Sequence, residues 1–120
     1  DLHALNSIQD PQKLSNNVRE VASTWLALGL DTDKNVFYRQ SDIPEISELT
    51  TILAALTPKG LLNRGHAYKA RIDKNKEEGK SDLDDGVNMG LFTYPLLMTA
   101  DILAFNADQV PVGLDNKQHL

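Results

Sequence analysis

One acid in the last third of the chain sits among apolar residues at helical spacing. Leu91, Tyr94, Met98, Asp101, Ile102 and Phe105 recur at intervals of three and four, which brings them to one helix face. All but Asp101 are apolar or aromatic, and a carboxylate on such a face is costly to bury without a partner. Two readings stay open. Asp101 is a structural group satisfied by neighbouring backbone or side chains, or it stands at the wall of an apolar pocket and accepts a hydrogen bond from a ligand N–H or O–H. In the second reading Tyr94 and Met98, within two turns before the acid, line the same concavity. Val110 and Val112, flanking Pro111 on an expected strand, add side chains that point the same way. A flat apolar slot with one acceptor suits an aromatic ligand carrying a single ring donor, for which indole is the obvious candidate.

A second group of residues follows at once. Gly113 stands between the expected strand and an expected helix, the place in a parallel sheet where unpaired helix N–H groups collect ligands. Asp115 is suited to accept from ribose hydroxyls, and the Asn116 amide to hold a small polar group. Such turns are common and usually only shape the chain. His3 is placed to face the same crevice, although a lone histidine more often serves structure. His66 and His119 stand far apart, and no set of histidines and acids has zinc-like spacing. There is no Gly-x-Gly-x-x-Gly run, phosphate-loop motif or nucleophile elbow.

These groups must be positioned by a chain of 120 residues, enough for one modest domain. Hydrophobic content of 41% and charged content of 24% are ordinary for a soluble protein. No apolar run is long enough to span a membrane, and the opening residues DLHALNSIQD do not resemble a secretory leader. Cysteine is absent, which excludes disulfides and thiolate metal sites and fits a cytosolic setting. The net charge of −5, without a basic stripe, argues against a main nucleic-acid surface in this segment. The ends read as those of an internal piece: Asp1 to Leu5 as the exit of a strand, and Asp115 to Leu120 as the opening of a helix.

The element order is that of an α/β domain built on a mainly parallel sheet. Asp10-Pro11 opens a helix over 11–28, with Leu14, Val18, Val21, Ala22, Trp25 and Leu28 as its apolar stripe and Gly29 as its stop. Trp25 is most simply a packing residue. Asp31 and Asp33 belong to a turn, and Val36-Phe37-Tyr38 suits an interior strand. Pro44 restarts a helix with Ile46, Leu49, Ile52, Leu53 and Leu56 on its buried side, ended by Thr57 to Gly60. Leu61 to Tyr68 suggests a further short helix over too few residues to define one. The stretch 71–86 is almost wholly polar, with charges of alternating sign, and is expected to be a solvated loop. A helix is expected to start near Thr93, with Pro95 in its first turn, and run to about Phe105. Gln109 to Val112 is then a strand.

The run Tyr94-Pro95-Leu96-Leu97-Met98-Thr99-Ala100-Asp101-Ile102-Leu103, then Val110-Pro111-Val112-Gly113, Asp115 and Lys117-Gln118-His119, closely resembles the tryptophanyl-tRNA synthetase family. Asp1 to Leu5, Trp25 to Asp31, Gln40-Ser41, the helix after Pro44, and Gly60 to Lys69 with Arg64 are similar too, so the resemblance spans essentially the whole chain. It implies a Rossmann-like class I synthetase catalytic domain, here incomplete at both ends. It also implies that the whole enzyme is a cytoplasmic homodimer that activates L-tryptophan with Mg2+-ATP and transfers it to tRNA(Trp). Carried over by resemblance, Asp101 accepts the indole N–H, and Met98, Val110 and Val112 shape the ring pocket. Tyr94 and Asn116 hold the amino group, His3 lies near the amino acid, and Gly113 and Asp115 contact the adenosine. Arg71 is the phosphate-side candidate. No residue is a covalent nucleophile, and no metal site is assigned to the chain.

Several positions depart from the family pattern. Asn116 stands where glutamine is common, and Arg71 stands near a usual lysine. Leu114 replaces a residue that is usually charged, and the polar stretch 71–86 is longer than in many bacterial members. The family's His-Ile-Gly-His-like and Lys-Met-Ser-Lys-Ser-like signatures are not in this sequence. The nearest rival is tyrosyl-tRNA synthetase, disfavoured by Met98 and by Val110 to Gly113. A noncatalytic tryptophan- or nucleotide-binding module is a second rival. A dimerisation element using Leu49, Ile52, Leu53 and Leu56 is a third.

Overall fold

A computed structural model describes residues 1–113, so the expected helix opening at Asp115, with Asn116, lies outside the described residues. The described chain divides into two compact units, Asp1–Pro44 and the stretch from Glu45 onward.

In the first unit, helix α1 spans Pro11–Ala27. The Asp10 carboxylate accepts from the backbone N–H groups of Gln12 and Lys13 at 2.8 and 3.0 Å, satisfying two donors that a helix start leaves open. At the other end Gly29 adopts a φ of +94°, while its N–H bonds to the Leu26 carbonyl and that of Leu30 to the Trp25 carbonyl. That pair of bonds closes the helix and needs a left-handed residue. Both ends of α1 thus follow the sequence reading. Its apolar stripe does not become a core: Val21, Trp25 and Leu28 are exposed, and Trp25 instead stacks on Phe37 at 6.1 Å between ring centroids.

The first residues, expected to leave a strand, form a 3-10 turn over His3–Asn6. The Asp1 carboxylate accepts from the backbone N–H and the hydroxyl of Ser41, and Gln40 Oε1 accepts from the Leu2 N–H at 3.1 Å. Val36-Phe37-Tyr38 is not a strand but an irregular stretch after the turn at Asp31 to Asn35, with Val36 88% exposed. A β-branched run becomes a strand only beside a partner that completes its ladder. The described residues supply none.

The second unit is helical. Helix α2 spans Pro44–Leu56, α3 Lys59–Leu62, α4 His66–Glu77 and α5 Met89–Leu103. Of the residues expected on the buried side of α2 only Ile46 is fully enclosed, while Ile52 and Leu56 are exposed. Leu62, Leu96 and Ala100 complete the apolar core of the described residues. The Tyr68 ring meets Phe92 edge-on at 5.0 Å, joining α4 to α5, and the Lys59 ammonium lies 5.5 Å over the Phe92 ring, joining α3 to α5.

Among the described residues no strand of the expected mainly parallel sheet is formed, and Gln109 to Val112, expected as a strand, is irregular. Two expectations about the helices are also corrected. The polar stretch 71–86 is not a loop throughout, because α4 runs through Glu77. Its Ala, Arg, Lys and Glu residues have good intrinsic helix propensity, and charge pairs such as Lys76 with Asp73 decorate the exposed side. Finally, α5 begins a turn before Thr93, where the Asn88 side chain accepts from the Leu91 N–H at 2.8 Å. Pro95 is therefore inside the helix, where it has no N–H to offer the Leu91 carbonyl.

Replacing Gly29 with alanine forces a side chain into the left-handed region at no gain in contacts, since open space surrounds the position. The expected loss is about 1 kcal/mol, read as a lowered denaturant midpoint at unchanged slope.

Candidate substrate-binding site

Helix α5 brings Tyr94, Met98 and Asp101 onto one face, as their spacing requires, and all three are half-buried. The acid is thus neither in open solvent nor sealed away. Tyr94 and Asp101 each engage other groups of the protein. Another part of the same helix faces a hollow of about 400 Å3, lined on that side by Pro95, Leu96 and Thr99. At 100° per residue this wall is turned roughly 140° from the centre of the Tyr94–Met98–Asp101 face. The hollow and the acid therefore occupy different sides of α5.

Leu53 of α2 and Thr57 just after it, Leu61 and Leu62 of α3, and Arg64 and Gly65 of the following turn close the hollow. Gly65 is required for its close packing: a β-carbon there would stand 3.2 Å from the Leu62 carbonyl oxygen and 3.8 Å from Pro95 Cγ. Arg64 supplies the hollow's cation. The spacing argument missed this space because its walls come from three segments, each contributing only one or two turns.

The remaining expected residues are dispersed along the chain. Val110 is half-buried, and Val112 and Gly113 are exposed in the irregular stretch after α5. Asp115 and Asn116 lie outside the described residues. His3 is half-buried in the 3-10 turn of the first unit. Arg71, expected in a loop, is half-buried on α4. Among the described residues no group of three or more His, Asp or Glu side chains is gathered to hold a metal ion.

Opposite Arg71 the segment after α4 is held tightly. The helix ends with the Gly79 N–H on the Lys76 carbonyl and the Lys80 N–H on the Asn75 carbonyl, the pair of bonds that also ends α1. Asn75, fully buried, donates its amide to the carbonyls of Leu83 and Asp85 at 2.7 and 2.8 Å. Lys80 reaches Glu78 at 3.1 Å and Asp85 at 2.7 Å, and these contacts hold both carboxyls below their usual range. Sequence reasoning had no signal for Asn75: it stands between charged residues, Asp73 and Lys74 before it and Lys76 to Glu78 after it, and its partners are backbone carbonyls eight and ten residues further along the chain.

The Tyr68 hydroxyl donates to Asp84 at 2.8 Å, and this bond raises the phenol above its ordinary value near 10. A phenol whose value is raised on folding contributes stability below its unfolded value and loses it as pH rises through the folded one. Absorbance titration is expected to show Tyr68 ionising above the ordinary tyrosine range, and Asp84→Asn to bring it down. An unchanged titration in that variant contradicts the assignment.

The sequence pattern of the family described as tRNA synthetases class I (W and Y) matches residues 1–120. Tryptophan–tRNA ligase of Pseudomonas putida is 61% identical over the whole chain, and that of Bordetella pertussis is 59% identical. The chain spans about a quarter of the length of each, 26%. A crystal structure of tryptophanyl-tRNA synthetase from Campylobacter jejuni complexed with ADP and tryptophan superposes with a TM-score of 0.81 at 48% identity, covering 98% of this chain and 34% of that one. A second crystal structure of the Campylobacter jejuni enzyme gives the same TM-score at 44% identity. On the family match over its full length, the chain belongs to the class I tRNA synthetases of the W and Y group.

Proposed function

We propose that the protein containing this chain is a tryptophan–tRNA ligase and that the chain supplies part of its amino acid and nucleotide site. It activates L-tryptophan with ATP, releasing pyrophosphate, and esterifies the resulting acyl group to the terminal adenosine of tRNA(Trp). The observation that carries the reading is the α5 face, on which the half-buried acid Asp101 stands beside Tyr94 and Met98 in a chain of this family. The family covers two amino acids; relatives named for tryptophan, together with Met98 and Val110 to Gly113, favour tryptophan over tyrosine.

The chemistry demands placement. The amino acid carboxylate must be held against the α-phosphate while charge on the phosphoryl group is stabilised, and no covalent nucleophile is needed. In this reading Asp101 accepts the indole N–H, and Met98, Val110 and Val112 bound the ring. Tyr94 and Asn116 hold the amino group, His3 lies by the amino acid, Gly113 and Asp115 meet the adenosine, and Arg71 faces the phosphates. The complex of the Campylobacter jejuni relative with ADP and tryptophan supports ligands of both kinds. Magnesium belongs with the ATP phosphates, and among the described residues no group of three or more His, Asp or Glu side chains is gathered to hold it.

The helices are placed here as a cover for a Rossmann-like, mainly parallel sheet that other parts of the domain complete. This assignment gives a purpose to the exposed apolar residues of α1 and α2. A homodimer in the cytoplasm is the corresponding expectation for the whole protein. Among the described residues no helix is long and apolar enough to cross a membrane.

A site that satisfies a ligand donor rejects analogues lacking it, whereas apolar walls discriminate by shape more weakly. In the full-length enzyme Asp101→Ala is therefore expected to lower kcat/KM for tryptophan on the order of 100-fold and to erode selection against phenylalanine. Methionine 98 variants are expected to change selection less. Unchanged discrimination in D101A overturns the role given to Asp101. The 120-residue chain alone, which lacks both ATP-handling signatures, is expected to show no tRNA charging above background in a radiolabelled tryptophan assay.

A further inference from the structure

Along α4, Tyr68, Arg71 and Asn75 recur at intervals of three and four, and all three meet the segment 82–86. Tyr68 holds the Asp84 side chain, Asn75 holds the Leu83 and Asp85 carbonyls, and Arg71 lies over Gly86. The fit at Gly86 is close. A β-carbon there would stand 3.2 Å from Arg71 Nη1 and 3.6 Å from its Cζ, and the glycine φ of +74° is one that other residues rarely adopt. Nearby charge is arranged so that Lys80 takes the Asp85 carboxylate in a direct bond at 2.7 Å. The Arg71 guanidinium acts on the same carboxylate through its charge, while the direct bond is that of Lys80.

Asn75 is the deepest polar group in this assembly. Both of its bonds run from the amide N–H groups to loop carbonyls, while its own oxygen, equally buried, has no hydrogen-bond partner among the described residues. Leaving an oxygen unpaired at that depth is costly. Aspartate at this position would place an acceptor against two acceptors, and alanine would leave both carbonyls unmet. Only a short amide can grip two carbonyls from this position on the helix.

We propose that Asn75 is a positioning residue for Arg71: by clasping the 83 and 85 carbonyls it keeps the Gly86 backbone beneath the guanidinium and so fixes the direction in which that cation meets the ATP phosphates. The inference rests on the reading of Arg71 as the phosphate-side residue. A planar guanidinium gains from being held, because its forked donors bind phosphate in only a few orientations.

The test is ATP–pyrophosphate exchange by the full-length enzyme, with KM measured separately for ATP and for tryptophan. Arg71→Ala is expected to raise the KM for ATP about tenfold with that for tryptophan within about twofold. Asn75→Ala and Asn75→Asp are expected to show the same split, and Gly86→Ala the same in smaller degree. Since Asn75 acts through Arg71, R71A/N75A is expected to be no worse than R71A alone. Trypsin cleavage after Lys80 is expected to quicken in N75A, reporting the released loop without reference to activity. If R71A leaves the KM for ATP unchanged, the phosphate-side reading fails. If R71A behaves as expected but N75A, N75D and G86A leave the KM for ATP alone, or the double variant is additive, the positioning role fails and the Arg71 reading survives.

Discussion

A buried amide has to spend its hydrogen bonds inside the protein, and Asn75 spends both of its donors on carbonyls eight and ten residues further along the chain. Much of the second unit's order follows from that constraint. The same residue's own carbonyl accepts from Lys80 and helps end α4, so one position both stops the helix and fastens the segment that comes after it. Lys80 and Tyr68 then reinforce the fastening from the surface with an ion pair and a phenol–carboxylate bond. A stretch with almost no apolar side chains thereby acquires a defined path without a core of its own. That path carries the chain back to Asn88, whose side chain opens α5, the helix that bears the candidate ligand residues.

Helix α5 is used on more than one side. Leu96 and Ala100 are buried, Pro95 and Thr99 look into the hollow shared with α2 and α3, and Tyr94, Met98 and Asp101 make a separate half-buried face. A helix can serve in this way only if its orientation about its own axis is set, and two aromatic contacts help set it. Phe92 receives the Tyr68 edge and the Lys59 ammonium, which ties the start of α5 to both α3 and α4. For the proposed site, which works by placing its substrates and needs no covalent nucleophile from the protein, such orientation is the scaffold's chief contribution.

Elements whose signals are local were legible in the sequence. The cap at Asp10, the stop at Gly29, the restart at Pro44 and the shared face of Tyr94, Met98 and Asp101 all depend on residues within a turn or two of one another, and each stands where expected. Pro95 misled because proline favours a first turn, whereas the Asn88 cap had already started the helix. Arg71 to Glu77 misled because a polar composition says that a segment is solvated, which holds for an exposed helix as well as for a loop. The strands expected at Val36 to Tyr38 and Gln109 to Val112 depend on a neighbour for every hydrogen bond, and propensity within the run cannot provide one.

By itself the sequence determined the family, through motifs in order along the whole chain, and the helix boundaries that are capped by adjacent residues. Tertiary structure alone decided which side of α5 faces the hollow, that Asn75 is interior while its polar neighbours are not, and that Gly86 lies beneath Arg71. The physical reason is range. A cap or a helical face is settled by atoms a few residues apart, whereas a hollow, a buried amide or a glycine under a guanidinium exists only when distant segments meet.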